Sequence, residues 1–297
     1  NGLFSSHMLA CRGPETHVSP SSTYPVFFTL LFVYIALIIT NVGVVVIIIA
    51  ERSLHEPMYL LFCNLFVNDI LGNTFLLPHL LYDMVFKNRL ISYSACVTQT
   101  FGAHTYGSAS HTILIIMAID RYVAICNPLR YSAIMTKKAV LSVSAWGVSI
   151  VLVAILLGLT IRLSRCRYII LNAYCDNASL FKLSCEDVYI NNLYGLVFTA
   201  VFSYVKILIA CLVSRQNEAR SKAINTCVAQ LVIFFIFEIT STFTILSHRF
   251  QNVSSDLQKI MGMLIFLVPP ILNPIVYGLN THEIRSNLFG RHTKVYA

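Results

Sequence analysis

The sequence predicts an all-α membrane protein, a bundle of seven transmembrane helices followed by a short amphipathic helix. The composition is 57% hydrophobic and only 11% charged, and the apolar residues gather into seven long stretches. A soluble domain usually has about 25% charged residues. A chain of 297 residues with this composition lacks the polar surface that a water-soluble fold needs, so a lipid bilayer is the expected solvent.

The seven stretches are close to or above the roughly 20 residues that a helix needs to cross a hydrocarbon core of about 30 Å. They are Tyr24–Ala50, Met58–Tyr82, Tyr93–Ile119, Ala139–Ile161, Val188–Val213, Ala223–Ser247 and Ile260–Gly278. Three of their residues are charged, namely Asp69, Lys206 and Glu238. The runs are continuous, whereas a membrane barrel shows alternating segments of about ten residues. The stretches therefore predict helices.

Four of the nine cysteines fall at one end of the predicted bundle. Cys96 lies at the start of the third span, and Cys166, Cys175 and Cys185 lie in the loop between the fourth and fifth spans. Disulfides persist on the extracellular or lumenal side of a membrane. This end, which is also the side of the N-terminus, is therefore predicted to lie outside, with three disulfide connectivities open.

The regions outside the spans complete the layout. Residues 1–23 are expected to form an extracellular tail, residues 24–279 the seven-helix domain and residues 280–297 a cytoplasmic tail. In the last of these, Asn280 and Glu283 resemble a capping box at the start of an amphipathic helix on the inner leaflet. The long loop with three cysteines also holds the sequon Asn177-Ala178-Ser179, which predicts an exposed, glycosylated Asn177.

Polar residues interrupt the apolar pattern in four of the spans. Asn41 lies in the first, Asp69 in the second, Asp120-Arg121-Tyr122 at the end of the third, and Asn273-Pro274-Ile275-Val276-Tyr277 at the end of the seventh. A charge at bilayer depth costs roughly 2.5–3.5 kcal/mol even on a lenient scale. A single polar residue suits an interhelical hydrogen bond, but four sites together favour a polar network inside the bundle.

These residues resemble the signature of rhodopsin-like G-protein-coupled receptors, and longer strings resemble the odorant receptors within that class. The strings are Leu54–Tyr59, Met117–Tyr131, Ser203-Tyr204, Lys222–Cys227 and Pro269–Pro274. The resemblance extends from about Asn41 to Arg285, and Glu56 and Asn191–Gly195 look more like fish-type members. It implies a plasma-membrane receptor with an extracellular N-terminus, a small-molecule odorant as ligand and a stimulatory, olfactory-type heterotrimeric G protein as partner.

The resemblance also implies a disulfide pairing and a switch. Cys96 is expected to pair with Cys175, and Cys166 with Cys185. The switch residues are expected to be Asp120, Arg121, Tyr122, Asn273, Pro274 and Tyr277, with Asn41 and Asp69 in the polar core. Arginine is always charged, and Asp120 is placed to hold Arg121 in the resting state.

The ligand site is expected between the third and sixth helices. The candidate residues are His104, Gly107, Ser108 and His111 of the third span, and Glu238, Thr240, Phe243 and Thr244 of the sixth. His104 and His111 lie seven residues apart and so share a helix face. Glu238 is interpreted either as a neutral, hydrogen-bonded residue or, with a histidine, as the polar end of a site for a polar or cationic odorant.

Other functions fit the sequence less well. A transporter predicts inverted repeats and paired broken helices, and neither is visible. An enzyme is not expected, because no catalytic motif, metal-ligand cluster or cofactor-binding loop is present. The net charge of +8 contains no concentrated basic patch, so the lipid surface is expected to face the basic loops and no nucleic-acid partner is expected.

Overall fold

A computed structural model describes most of the chain. The described residues are 8–11, 20–55, 57–86, 90–126, 131, 138–170, 174–195, 197, 201, 235–244 and 255–280. The prediction of a C-terminal amphipathic helix lies outside them. The same is true of the side chains of Arg121, Tyr122 and Tyr277.

Each of the seven predicted spans contains described helix. Five helices are Pro20–Ala50, Pro57–Phe86, Tyr93–Cys126, Lys138–Ile161 and Ser255–Asn280, the first to fourth and the seventh in span order. The fifth and sixth spans are helical over residues 189–195 and 235–244. Among the described residues, Thr23–Ala50, Met58–Phe86 and Val143–Ile161 are long and apolar enough to cross a membrane, and Ile260–Val276 is a shorter apolar helix.

The third helix packs against both the second and the fourth helices. Glycines allow the second and third helices to approach closely. A Cβ on Gly72 would overlap the ring of Tyr106, and a Cβ on Gly102 would overlap the ring of Phe75. Small residues at such crossings are typical of membrane bundles, where close backbone packing drives association.

Three prolines in the seventh helix each leave a backbone carbonyl without its helical donor, and side chains of other helices bond to two of these carbonyls. Pro269 and Pro274 have no N–H, so the carbonyls four residues earlier, at Ile265 and Pro270, lose their helical donors. The Tyr106 hydroxyl donates to the Ile265 oxygen at 3.3 Å, and Asn41 Nδ2 donates to the Pro270 oxygen at 3.1 Å. The first and third helices are thereby bonded to the seventh where its own helical hydrogen bonds are missing.

A small sheet covers the end of the bundle that carries the disulfides, which we call the disulfide end. Strand β1 (Met8–Cys11) lies between β2 (Leu90–Ser92) and β3 (Ile169–Ile170), antiparallel to β2 and parallel to β3. The sequence analysis predicted a polar tail at this point and no strand. The strand forms because backbone groups of the tail pair with backbone groups of two loops. The partners are distant in sequence, so no local sequence pattern predicts the pairing.

Candidate functional site

The disulfide end is fixed by two disulfides. Cys96 pairs with Cys175 and Cys166 with Cys185, with Cα–Cα distances of 5.4 and 5.9 Å. These are the pairs that the family resemblance implies. The first ties the third helix to the middle of the long loop, residues 162–187, and the second closes that loop upon itself. The two bonds hold the loop against the mouth of the bundle.

A short helix in the long loop, Asn177–Phe181, lies against the third and fourth helices, and we call it the loop helix. Asp176 caps it by accepting from the Ser179 N–H at 2.7 Å. The Asn177 N–H donates to His104 Nε2 at 3.2 Å, and the Asn177 Oδ1 accepts from the Thr160 hydroxyl at 2.7 Å. The loop helix therefore closes over the third helix at His104.

The structure contradicts the predicted exposure of Asn177. The residue is only 6% exposed, and its side chain accepts a hydrogen bond from Thr160 inside the protein. Glycosylation of Asn177 stays a prediction. The sequon reports the local acceptor sequence and gives no information about the burial of the residue.

One face of the third helix is left partly open. His104, Gly107 and His111 follow each other at spacings of three and four, and all three are half-buried, whereas Ser108 and Ala109 between them are buried. His104 contacts the loop helix, and the His111 ring lies 4.9 Å from the Phe237 ring of the sixth helix. Among the residues that the structure describes, a Cβ on Gly107 would meet nothing within 4 Å.

The open space at Gly107 thus lies between a roof at His104 and a floor at His111 and Phe237. We call this space the chamber. The seven residues from roof to floor span about 10 Å at a rise of about 1.5 Å per residue. The chamber has the height of a small organic molecule. Ser108 is 2% exposed beside it, and its hydroxyl has no hydrogen-bond partner among the described residues.

The sixth-helix candidates occupy one described helix, residues 235–244. Glu238 and Phe243 are half-buried, and Glu238 directly follows the Phe237 that contacts His111. The hydroxyls of Thr240 and Thr244 donate to carbonyls of their own helix, at 2.8 Å to Ile236 and 2.9 Å to Thr240. These two threonines are buried and internally bonded. A direct contact between Glu238 and a histidine stays a prediction.

Sequence reasoning missed an aromatic cluster around Tyr106 of the third helix, which includes Phe237. Tyr106 stacks on Phe266 at 5.3 Å and contacts Phe237 at 6.4 Å, and Tyr174 of the long loop contacts Phe266 at 5.9 Å. Burial raises the pKa of Tyr174, and nearby Asp176 adds to the rise, so its hydroxyl stays neutral. Gly262 gives a weak signal, since any side chain there would overlap Tyr174.

The polar residues of the spans meet inside the bundle. Asn273 Nδ2 donates to Asp69 Oδ2 at 2.7 Å, joining the seventh helix to the second. Asn68, which the sequence analysis did not single out, donates to the Ser110 hydroxyl at 2.8 Å and to the Tyr106 carbonyl at 3.0 Å. Asn41 contributes through Pro270, as described above. The second helix is therefore connected to the third and seventh by buried hydrogen bonds.

At the opposite end of the bundle, Asp120 is 1% exposed and accepts a hydrogen bond from the Tyr131 hydroxyl at 2.8 Å. Arg121 and Tyr122 follow it within the third helix. Pro274 is buried in the seventh helix. In the part of the chain that the structure describes, no group of His, Cys, Asp and Glu side chains is arranged to hold a metal ion. The bundle therefore has an open position on the third helix near one end and a buried carboxyl group, Asp120, near the other.

Fold and site together define a seven-helix membrane receptor of the G-protein-coupled class. A family model for olfactory receptors matches residues 30–292. Human olfactory receptor 51E1 is 37% identical over 275 aligned positions, which cover 88% of this chain and 86% of that protein. Human olfactory receptor 52N5 is 35% identical over 308 aligned positions, 94% of each chain. The chain belongs to the olfactory receptor family.

This membership carries the general function. The chain is an odorant-sensing, multi-pass G-protein-coupled receptor of the plasma membrane, and not an enzyme. Both of these relatives are human, and the resemblance to fish-type members stays a prediction.

Proposed function

We propose that this receptor binds a small odorant in the chamber beside Gly107 and activates a stimulatory, olfactory-type G protein from the opposite end. In this proposal the N-terminus and the disulfide end face the outside of the cell. One observation carries it: the third helix is open at Gly107, between the loop-helix contact at His104 and the ring contact at His111. An open position beside buried Ser108 gives a ligand a place to contact the third helix.

The chamber couples to signalling through the sixth helix. A ligand shifts an equilibrium between two states only if it binds them with different affinity. The floor of the chamber is the contact between His111 and Phe237, so a ligand resting there touches the sixth helix directly. Outward movement of the sixth helix changes this floor, and a ligand that fits the changed floor better favours the active state.

The switch lies at the cytoplasmic end. Asp120, Arg121 and Tyr122 lie in the last two turns of the third helix, and Asn273, Pro274 and Tyr277 lie in the second half of the seventh. Tyr131 donates to Asp120, which keeps one carboxylate oxygen occupied. We propose that Arg121 is held near Asp120 in the resting state and is released to the G protein in the active state.

Glu238 sets the chemical preference of the chamber in this proposal. It is half-buried on the residue after Phe237, so it lies close to the chamber floor. The residue places a carboxyl group beside the sixth-helix part of the floor. A polar or cationic odorant with its polar end toward Glu238 complements that group. Glu238→Gln is expected to reduce the potency of such an agonist without reducing surface display.

The test is ligand-evoked cAMP in cells that express the receptor with an olfactory-type G-protein α subunit. A panel of amines, acids, aldehydes and steroids supplies the agonist. Gly107→Leu is expected to remove the response because its side chain fills the chamber. Gly147→Leu is the matched control, since Gly147 also has nothing within 4 Å but is exposed on the fourth helix.

Two results would contradict the proposal. The first is an unchanged response in Gly107→Leu at equal surface display. The second is uptake of a panel compound into vesicles without any change in cAMP, which would favour a transporter.

A further inference from the structure

Three buried polar side chains meet where the long loop enters the bundle. The Thr160 hydroxyl donates to Asn177 Oδ1 at 2.7 Å, and Asn191 Nδ2 donates to the Thr160 oxygen at 3.0 Å. Thr160 ends the fourth helix, Asn177 begins the loop helix, and Asn191 lies in the first turns of the fifth span. Their exposed fractions are 3%, 6% and 1%. One hydroxyl thus joins three segments that are separate in sequence.

The same loop helix also bonds to the third helix, through the Asn177 N–H and His104 Nε2 at 3.2 Å. Asn177 is therefore in contact with the fourth helix by its side chain and with the third helix by its backbone. His104 marks the outer limit of the chamber. The segment that Asn177 holds in place is the roof over the open space at Gly107.

The disulfides flank this segment without fixing its middle. Cys175 and Cys185 anchor the loop on either side of the loop helix. Between them, hydrogen bonds and packing hold the backbone. A neutral hydrogen bond contributes only about 0.5–1.5 kcal/mol net, so contacts of this kind open and close where a disulfide cannot. Asn191 Oδ1 is buried without a partner among the described residues, which weakens the cluster further.

We propose that Thr160, with Asn177 and Asn191, is a latch that holds the loop helix closed over the chamber and controls access from outside. Thr160 and Asn191 are positioning residues in this proposal, because they act on the ligand site only through Asn177. The proposal rests on the chamber proposed above. Its test measures access to the chamber and not signalling, so the two proposals can fail separately.

The experiment uses the full-length receptor on intact cells, with Gly107→Cys as a reporter thiol in the chamber. A Cβ fits at this position without a clash. The probe is a membrane-impermeant methanethiosulfonate reagent that carries a quaternary ammonium group. The labelling rate of surface receptor is measured with Thr160, Thr160→Val and Thr160→Ser, and the rate of the parent without the reporter cysteine is subtracted.

Thr160→Val keeps the shape of the side chain but removes the hydroxyl, and it is expected to raise the labelling rate about tenfold, in line with the loss of one or two hydrogen bonds. Thr160→Ser keeps the hydroxyl and is expected to restore the slow rate. Leu90→Cys in β2 is the control, because Leu90 is 51% exposed at the disulfide end outside the long loop, and its labelling is expected to be independent of Thr160. A merely structural role lowers surface display and leaves the rate per displayed receptor unchanged.

Asn177→Ala removes the acceptor of the Thr160 hydroxyl. It therefore breaks the same hydrogen bond by a second, independent substitution. Its expected rate resembles that of Thr160→Val. Equal labelling rates at Gly107→Cys in all these backgrounds would overturn the proposal, as would the absence of labelling in every one of them. Fast labelling in Thr160→Ser would also overturn it, because the hydroxyl would then be irrelevant.

Discussion

The two faces of the third helix differ in how completely they are packed. On one face, Tyr106 lies against Gly72 of the second helix and donates to the Ile265 carbonyl of the seventh. On the other face, a Cβ on Gly107 would meet nothing within 4 Å among the described residues. The comparison shows that the two faces of one helix differ in packing. The packed face holds the second, third and seventh helices together, and the open face is where we propose that the ligand binds.

The largest expected effect comes from breaking the disulfide at the outer end of the third helix. Cys96→Ser removes the link to Cys175 across 79 residues of chain. Closing a loop of that size contributes about 4 kcal/mol in the entropy model. We expect almost complete loss of surface display, measured by antibody staining of unpermeabilised cells. Cys63→Ser, at a free cysteine, is the control and is expected to be displayed normally.

The next largest effect is expected from variants at the inner end of the same helix, which should change signalling without changing packing. Arg121→Ala is expected to abolish agonist-evoked cAMP while surface display stays near normal, because the charge serves the active state. Asp120→Asn is expected to raise basal cAMP, since Asp120 loses its charge beside Arg121. A displayed Arg121→Ala variant that signals normally would show that the switch does not depend on this residue.

A smaller effect is expected on the packed face. Tyr106→Phe removes the donor to the Ile265 carbonyl that Pro269 has freed. Interhelical hydrogen bonds in membrane proteins contribute about 0.6 kcal/mol on average, and leaving a buried carbonyl unbonded raises the loss toward roughly 1–3 kcal/mol. A lower unfolding temperature of the purified receptor is expected. Tyr24→Phe is the control, because Tyr24 is 70% exposed. Equal temperatures for the two variants would show that the Tyr106 hydroxyl does not stabilise the bundle.

The sequence predicts the spans well because a bilayer imposes a long and simple apolar pattern. The helices differ from the predicted stretches mainly at their ends, as in Ser255–Asn280 against Ile260–Gly278. Polar residues at membrane depth are equally informative, since burying them has a cost that only a partner offsets. Asp69 and Asn273 are in direct contact for this reason.

Features that depend on long-range pairing are harder to predict. Strand β1 joins two loops that are distant in sequence, and the burial of Asn177 depends on Thr160 and His104. A sequon gives no information about either contact. Tyr106 carries no motif, although the prolines of the seventh helix indicate that some donor has to reach their freed carbonyls.

The most direct test of the difference between the faces compares Gly72→Ala with Gly107→Ala in purified full-length receptor, by unfolding temperature. At Gly107 the temperature is expected to stay level or rise, because alanine is favoured over glycine in a helix by up to about 1 kcal/mol and the added Cβ meets nothing within 4 Å. At Gly72 it is expected to fall by several degrees, because the Cβ overlaps the Tyr106 ring and overpacking costs about 1–3 kcal/mol. Equal changes at the two positions, or a larger loss at Gly107, would contradict the division of the third helix into a packed and an open face.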